Sequence, residues 1–180
     1  QMWLEHELLK NPEVKGVFCV TTSYRNEPFP IEGRYDKIFP MFEFESHGDL
    51  KDLIQLEADL LTHLGFLDNP EALKEISYEK ACDLVKACDL LKKDILDEDD
   101  EIALQYQLGN HIALTKFPQR THPFWNMKKL EDDLYSKVDV LMYGMETIGS
   151  AERSCDVDEM RENFYSISDG EYAKLLFNAF

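Results

Sequence analysis

Basic residues are scarce in this 180-residue sequence. It contains 19 Lys and Arg against 36 Asp and Glu, and its formal net charge is −17. Proteins bind extended nucleic acids largely by neutralising phosphates with Lys and Arg. The acidity therefore argues against this chain being a main nucleic-acid-binding surface. It does not exclude a single nucleotide, because a few placed cations and Mg²⁺ can meet the charge of its phosphates.

Long apolar runs and cysteine motifs are also absent. No run approaches the about 18 residues of a membrane-spanning segment, and no secretory signal pattern is present. The four cysteines, Cys19, Cys82, Cys88 and Cys155, form no Cys-x-x-Cys pair and have no His at zinc-ligand spacing. We therefore expect a cytoplasmic protein with buried, reduced thiols and no membrane partner. Because the chain does not begin with Met, we expect it to be a fragment.

The composition that is present is that of a globular protein. Hydrophobic residues make up 44% of the chain and aromatic residues 12%. This hydrophobic content is enough to bury one substantial core. A disordered segment would contain fewer hydrophobic and aromatic residues. We predict a single domain over residues 1–180.

Two strand patterns flank a long loop near the N-terminus. Residues 14–24 (VKGVFCVTTSY) are rich in β-branched and aromatic side chains, and residues 38–45 (IFPMFEFE) alternate apolar groups with Glu43 and Glu45. The twelve residues between them contain two Pro and one Gly, which predicts a loop. Long loops in compact domains are usually functional or disordered. Arg34 and Lys37 in this loop are candidates for closing over an anion.

The same stretch contains side chains suited to a nucleotide. The guanidinium of Arg25 offers paired donors to phosphate oxygens, Glu27 can accept from an exocyclic amine, and the ring of Phe39 can stack on a purine. Taken singly, Arg25 and Glu27 would be a surface ion pair and Phe39 a core residue. Their combined order and spacing favour the nucleotide interpretation.

A second stretch, residues 144–153 (GMETIGSAER), follows an apolar strand pattern at residues 137–143. Glu146 lies seven residues before Arg153, and the residues between them are mostly small. Small residues allow close approach of the backbone to a ligand. The alternative is that Glu146 and Arg153 only flank a turn.

These residues resemble the class II aminoacyl-tRNA synthetases of the aspartate and asparagine branch. The resemblance rests on Tyr24-Arg25-Asn26-Glu27, Arg34-Tyr35, Phe39, Glu43 and Glu45, and on Glu146 with Arg153. It implies that Arg25 is a catalytic residue that contacts the α-phosphate of ATP. It also implies that Glu27 faces the adenine end, that Phe39 stacks on adenine, and that Arg34 belongs to the ATP site.

The resemblance further implies an amino-acid site and a metal site. Glu43 would receive the α-ammonium group, Gln1 would help to recognise the amino acid, and Arg153 would pair with the side-chain carboxylate or amide. Glu146 would hold the magnesium ion bound to ATP. Two positions depart from the family pattern, because Tyr35 replaces the usual loop histidine and Gly149-Ser150 stands where relatives have Ser then Gly.

The rest of the chain is predicted to be scaffold. A strand is expected at residues 112–117, and His122 in the following segment is expected to be a hydrogen-bonded loop residue without a catalytic role. Helices are predicted at 49–64 with Asp49 as the cap, once or twice within 70–96, and at 156–177 with an interruption at 168–170. The acidic run 94–101 is expected to be a solvated helix start or a loop. Buried candidates in the second region are Leu73, Ile76, Leu84, Val85, Leu90 and Leu91.

Together these features predict an α+β fold, an antiparallel β-sheet flanked by helices that forms part of a class II synthetase core. The first and third family motifs would lie outside the chain, so the fragment alone should be inactive and the full-length protein a homodimer. The sequence most resembles asparagine synthetases related to these tRNA ligases, which adenylate aspartate and transfer ammonia. An asparaginyl-tRNA synthetase with tRNA as partner and an inactive nucleotide-binding paralogue remain open.

Overall fold

The computed structural model describes residues 2–26, 28–31, 33–34, 36–87, 95–171 and 173–174. The chain divides into two compact units, Gln1–Gly48 and Asp49–Phe180. The single domain expected over residues 1–180 stays a prediction.

The first unit is a helix followed by a β-hairpin. Helix α1 covers Met2–Lys10, strand β1 covers Gly16–Tyr24 and strand β2 covers Ile38–Ser46. The two strands pair antiparallel along their whole length. Both predicted strands are confirmed, which agrees with the preference of β-branched and aromatic residues for pleated backbone.

The second unit contains a four-stranded sheet. Its strands are β3 (Lys74–Ser77), β4 (His111–Pro118), β5 (Leu134–Met142) and β6 (Met145–Ala151), and they lie in sequence order across the sheet. Strand β3 pairs parallel with β4, and the other two pairs are antiparallel. The strands predicted at 112–117 and 137–143 are confirmed, and so is the α+β fold class.

Four α-helices accompany this sheet in the described residues. They are α2 (Leu50–His63), α3 (Tyr78–Lys86), α4 (Glu98–Leu108) and α5 (Val157–Ser166). The carboxylate of Asp49 accepts the backbone N–H groups of Lys51 and Asp52 at the start of α2, which confirms the predicted cap. Asp97 caps α4 in the same way, so this part of the acidic run is a helix start.

The sheet of the second unit buries both of its faces. One face carries Ala113, Val138, Val140 and Met142 and packs with Leu61 and Leu67. The other face carries Ile112, Leu114, Phe117 and Leu141, and packs with residues of α3 and α4 that include Val85 and Leu104. Helix α2 therefore covers one side of β4 and β5, and α3 and α4 cover the other.

Of the six side chains predicted to be buried in the 70–96 region, one is buried and three are partly buried. Val85 is inaccessible to solvent, and Leu73, Ile76 and Leu84 are partly buried against the two clusters. Leu90 and Leu91 lie outside the described residues. Helix α5 ends at Ser166, and a short 3-10 helix, Ile167–Gly170, follows it. The α-helix is therefore interrupted where the sequence predicted, at residues 168–170.

The cysteine prediction is only partly correct. Cys82 is buried and Cys19 is half-buried, but Cys155 is exposed because it lies in the short connection between β6 and α5. Cys88 lies outside the described residues. No helix in the described part of the chain has the length and apolarity needed to cross a bilayer.

Candidate active site

In the first unit, Arg25 and Phe39 meet on one face of the hairpin. Ser23 lies opposite Phe39 in the β1–β2 register. The backbone N–H of Arg25 donates to the carbonyl of Lys37 at 2.9 Å. The backbone hydrogen bonding between β1 and β2 therefore continues for one residue pair beyond the ends of the strands. Side chains two residues apart share a face, and the guanidinium carbon of Arg25 lies 5.4 Å from the centroid of the Phe39 ring. This is a cation–π contact.

Glu43 lies farther along the same face. It is half-buried, and its Oε2 accepts a hydrogen bond from the Cys19 thiol at 3.7 Å. Glu43 is four positions after Phe39 along the strand, a rise of about 13 Å. The hairpin face therefore presents a cation, an aromatic ring and an acid in that order.

Three other residues were predicted to bind the substrates: Gln1, Glu27 and Arg34. Gln1 and Glu27 lie outside the described residues, as does Tyr35. Arg34 is described and half-buried, and its backbone N–H donates to the carbonyl of Ile31 at 3.0 Å. The roles assigned to these residues stay predictions.

In the second unit, Glu146 lies beside a second carboxylate, Asp139. Asp139 pairs with Gly149 in the β5–β6 register. A Cβ atom at position 149 would lie 2.6 Å from Oε1 of Glu146 and 3.4 Å from Oδ1 of Asp139. Because Gly149 has no side chain, the two carboxylates can occupy the space beside its Cα.

A β-bulge turns Glu146 toward Asp139. Val140 pairs with Ile148, but the next residue, Leu141, pairs with Glu146 instead of Thr147. The extra residue reverses the alternation of the strand, so Glu146 lies on the face of Leu141 and Asp139. Bulges commonly redirect a side chain in this way near functional sites.

The environment of Asp139 disfavours its negative charge. Asp139 is 6% exposed, and burial raises its pKa to about 7, with Glu146 acting in the same direction and Lys137 opposing it. Nζ of Lys137 lies 2.5 Å from Oδ2 of Asp139 and 4.1 Å from the ring centroid of Phe117. Oδ1 of Asp139 is buried and makes no hydrogen bond within the described residues.

This pair of carboxylates suits a hard cation, which prefers oxygen ligands. Such a cation would satisfy the buried Oδ1 and relieve the repulsion between the two acids. No group of three or more His, Cys, Asp or Glu residues suited to a metal occurs in the described residues. Mg²⁺ nevertheless often takes one or two protein carboxylates and completes its shell with water and phosphate oxygens. Asp139 was not among the predicted site residues, although a single acid within the apolar run KVDVLMY is a usable signal.

Arg153 lies just beyond β6 and is held against Asn126. The backbone of Ser154 donates to the carbonyl of Asn126 at 2.9 Å, and Met127 bridges to Arg153. Nη1 of Arg153 donates to Oδ1 of Asn126 at 3.3 Å. Strand alternation places Arg153 on the face of Gly149 and Ala151, the face that also carries Glu146.

His122 ends the short 3-10 helix Gln119–Thr121 that follows β4. Its backbone is left-handed, with φ of 52°, and its N–H donates to the carbonyl of Gln119 at 3.0 Å. It is a loop residue with a hydrogen-bonded backbone, as predicted.

A third carboxyl group is buried on the opposite side of β6 from Glu146. Glu57 of α2 is 1% exposed and accepts a hydrogen bond from the hydroxyl of Ser150, which lies next to Gly149 on the opposite side of β6. Burial raises the pKa of Glu57 to about 7. This buried acid ties α2 to the strand that carries Glu146.

Comparison with known proteins identifies the family. The model of the tRNA synthetases class II (D, K and N) matches residues 2–180. No curated protein sequence matches the chain.

Solved structures share the fold. Asparaginyl-tRNA synthetase from Pyrococcus horikoshii, in complex with asparaginyl-adenylate, superposes with a TM-score of 0.80 at 20% identity, covering 93% of this chain and 44% of its own. The Entamoeba histolytica asparaginyl-tRNA synthetase complex with asparaginyl-adenylate gives 0.80 at 23%, covering 96% and 46%. Aspartyl-tRNA synthetase from Entamoeba histolytica gives 0.76 at 17%, covering 94% and 41%.

The chain therefore spans less than half the length of these relatives. At these identities the likeness concerns the fold. Because the family model matches residues 2–180, the chain belongs to the class II tRNA synthetase family that comprises the D, K and N enzymes.

Proposed function

We propose that the intact protein is an ATP-dependent ligase that adenylates aspartate and transfers the activated acyl group to ammonia, which yields asparagine. The observation that carries this proposal is the hairpin face, where Arg25 lies over Phe39 and Glu43 follows on the same side. In a member of this family, that order suits a phosphate, an adenine ring and an ammonium group.

ATP would bind to the hairpin through charge and stacking. The guanidinium of Arg25 donates to the α-phosphate and stabilises the negative charge that develops there during attack. Phe39 presents its ring to adenine. Arg34 and Glu27 also belong to the proposed ATP site, with Glu27 at its adenine end.

The two carboxylates of the second unit would hold Mg²⁺. Glu146 and Asp139 supply hard oxygen ligands, and the ion, when bound, neutralises charge on the phosphates. Asp139 thus joins Glu146 as a proposed metal ligand, and Gly149 keeps the space between them open.

Two roles are proposed for recognition of the amino acid, one in each unit. In the first unit, Glu43 would accept the ammonium group, with Gln1 assisting. In the second unit, Arg153 would pair with the carboxylate that does not react. A guanidinium gains more from an ionised carboxylate than from a neutral amide. This difference favours aspartate over asparagine as the substrate.

The acceptor determines which carboxyl group of aspartate must be activated. To make asparagine, an oxygen of the side-chain carboxylate attacks the α-phosphorus and pyrophosphate leaves. Ammonia then attacks the acyl carbon, AMP leaves and the nitrogen loses a proton. Arg153 would then hold the α-carboxylate, whereas in a tRNA ligase the α-carboxyl reacts and Arg153 would hold the side chain.

The second candidate is asparaginyl-tRNA synthetase, which the names of the similar structures favour. The two candidates are separated by their products. One mixture would contain the intact protein, ATP, Mg²⁺, aspartate and ¹⁵N-ammonium without tRNA, and a second would contain the intact protein, ATP, Mg²⁺, asparagine and tRNA. We expect free ¹⁵N-asparagine and one AMP per asparagine without tRNA. Charging of tRNA with asparagine, without release of free asparagine, would establish the second candidate instead.

A further inference from the structure

We infer that a cavity in the second unit, between the segment that follows β4 and helix α5, binds an uncharged nucleoside. Its volume is about 440 Å³, and Gln119, Trp125, Tyr135 of β5 and Asn163 of α5 are among the residues that line it. Pockets for small molecules usually enclose about 300–1,000 Å³. The described residues that line the cavity include none of those assigned to ATP, Mg²⁺ or the amino acid, so this site goes beyond the proposed function.

Aromatic side chains supply much of the cavity lining. Phe124 is 41% exposed and Trp125 is half-buried, and the centroids of their rings lie 5.8 Å apart. Trp125 also makes an edge-to-face contact with Phe164 of α5, at 5.4 Å between centroids, which restricts the orientation of the indole. Every nucleobase has a flat face that stacks on aromatic side chains. The lining therefore favours a planar ligand.

Two amide groups line the same cavity. The hydroxyl of buried Tyr135 donates to Oε1 of Gln119, which fixes the orientation of this amide and leaves its Nε2 as a donor. Within the described residues, neither Nε2 of Gln119 nor the side-chain amide of half-buried Asn163 makes a hydrogen bond. Amide side chains pair well with the donors and acceptors on the edges of nucleobases. The two amides therefore favour a ring with a hydrogen-bonding edge.

The charge of the lining separates a nucleoside from a nucleotide. No Lys, Arg, Asp or Glu is among the described residues that line the cavity, and the imidazole of His122 carries no fixed charge. Phosphate groups are usually bound by Arg or Lys. The net charge of −17 further opposes a phosphate or a strand of RNA. The ligand that fits is therefore a base with its sugar and without phosphate.

Two substitutions in the lining and two matched controls test the site. Phe124→Ala removes a ring, and Asn163→Ala removes an amide. Tyr106→Ala removes a ring that is 84% exposed on α4, and Glu162→Ala changes the exposed neighbour of Asn163 on α5. Neither control residue is among those that line the cavity. Thermal melts of the intact protein report the structural cost of each change.

The readout is the affinity of the intact protein for adenosine, inosine, cytidine and uridine, from ligand-observed NMR titrations. A saturating non-hydrolysable ATP analogue with Mg²⁺ is present, so that the proposed ATP site is occupied. We expect at least one nucleoside to bind. Phe124→Ala should weaken its binding by about fivefold or more, because a stacking contact is lost. Asn163→Ala should weaken it by about two- to tenfold, and the controls by less than about twofold.

Several outcomes would overturn the nucleoside site. They are no binding of any of the four nucleosides, equal losses in the lining and control variants, and equal binding of benzyl alcohol, whose ring has no amide-like edge. Tighter binding of the corresponding 5′-monophosphate or of a short single-stranded RNA would also overturn it. The comparison between variants holds whether or not the intact protein makes asparagine. If Phe124→Ala does not fold, Asn163→Ala with Glu162→Ala still decides.

Discussion

A guanidinium over an aromatic ring is the residue-scale feature on which the proposed ATP site depends. Phe39 is half-buried, and Arg25 lies 5.4 Å from the centroid of its ring. If the ring stacks on adenine, Phe39→Ala should raise the KM for ATP and leave the affinity for aspartate nearly unchanged. Steady-state pyrophosphate exchange at varied ATP and at varied aspartate measures the two effects, and thermal melts report the stability of the variant.

Phe18→Ala is the matched control for that prediction. Phe18 is 70% exposed and lies on the opposite face of the same hairpin, in ring contact with Phe42. It should leave the KM for ATP unchanged. A large loss of stability in Phe39→Ala, close to the about 3–5 kcal/mol of a core phenylalanine, with an unchanged KM for ATP, would instead make Phe39 a core residue.

Glu57 gives the clearest pH dependence at the residue scale. Burial raises its pKa from 4.5 to about 7. Between these values the unfolded chain loses the proton while the folded chain keeps it, so this group lowers the free energy of unfolding as pH rises. Glu57→Gln removes the effect. From pH 4.5 to 7, the variant should gain stability relative to wild type by up to about 3 kcal/mol.

Urea unfolding of both proteins across this pH range measures the difference. Asp59→Asn, which changes an exposed carboxyl on the same helix, is the control. A constant difference between wild type and Glu57→Gln at all pH values would mean that Glu57 ionises normally in the folded protein.

At the scale of elements, the turn between β5 and β6 depends on Gly144. Its φ is +73°, and a Cβ atom there would lie 2.9 Å from Oε1 of Gln105 and 3.0 Å from Cα of Ile102 in α4. Gly65, with φ of +80°, has nothing within 4 Å of the same position. In both alanine variants the left-handed backbone costs about 1–2 kcal/mol of stability. Only in Gly144→Ala does the added Cβ atom also crowd the backbone of α4.

We therefore expect Gly144→Ala to lower the free energy of unfolding by about 1–3 kcal/mol more than Gly65→Ala does. Denaturant unfolding of the two variants side by side provides the comparison. Equal losses in the two variants would show that α4 does not pack closely on this turn.

Elements with a strong local pattern were predictable from the sequence. The two hairpin strands have β-branched and aromatic runs, and α2 has both a helical stripe and an Asp49 cap. Strand β3 was missed because Lys74–Ser77 is only four residues long and depends on its parallel pairing with β4. Such pairing connects segments far apart in the sequence, so no local signal reveals it.

Site residues follow the same division. Arg25, Phe39 and Glu43 were singled out because their spacing forms a motif. The register of the hairpin places the three side chains on one face, and their roles stay predictions. Asp139 and Asn126 were missed, since one lies inside an apolar strand and the other in a connecting segment. The bulge that turns Glu146 toward Asp139 arises from strand pairing and has no signature in the sequence.

At the scale of the whole molecule, charge and length define what the chain contributes. A net charge of −17 opposes broad contact with a phosphate backbone, so phosphates would have to be met by individually placed groups such as Arg25. The similar structures are more than twice as long as this chain. Activity is therefore a property to be measured on the intact protein.

Aspartate-dependent exchange of labelled pyrophosphate into ATP is the measurement that tests the central claim most directly, because it reports adenylate formation whichever acceptor follows. We predict exchange by the intact protein only when both aspartate and Mg²⁺ are present. The rate should fall by about 100-fold or more in Arg25→Ala, which removes a donor to the developing charge. A folded protein that binds ATP yet shows no exchange with aspartate, or exchange that survives in Arg25→Ala, would contradict the account.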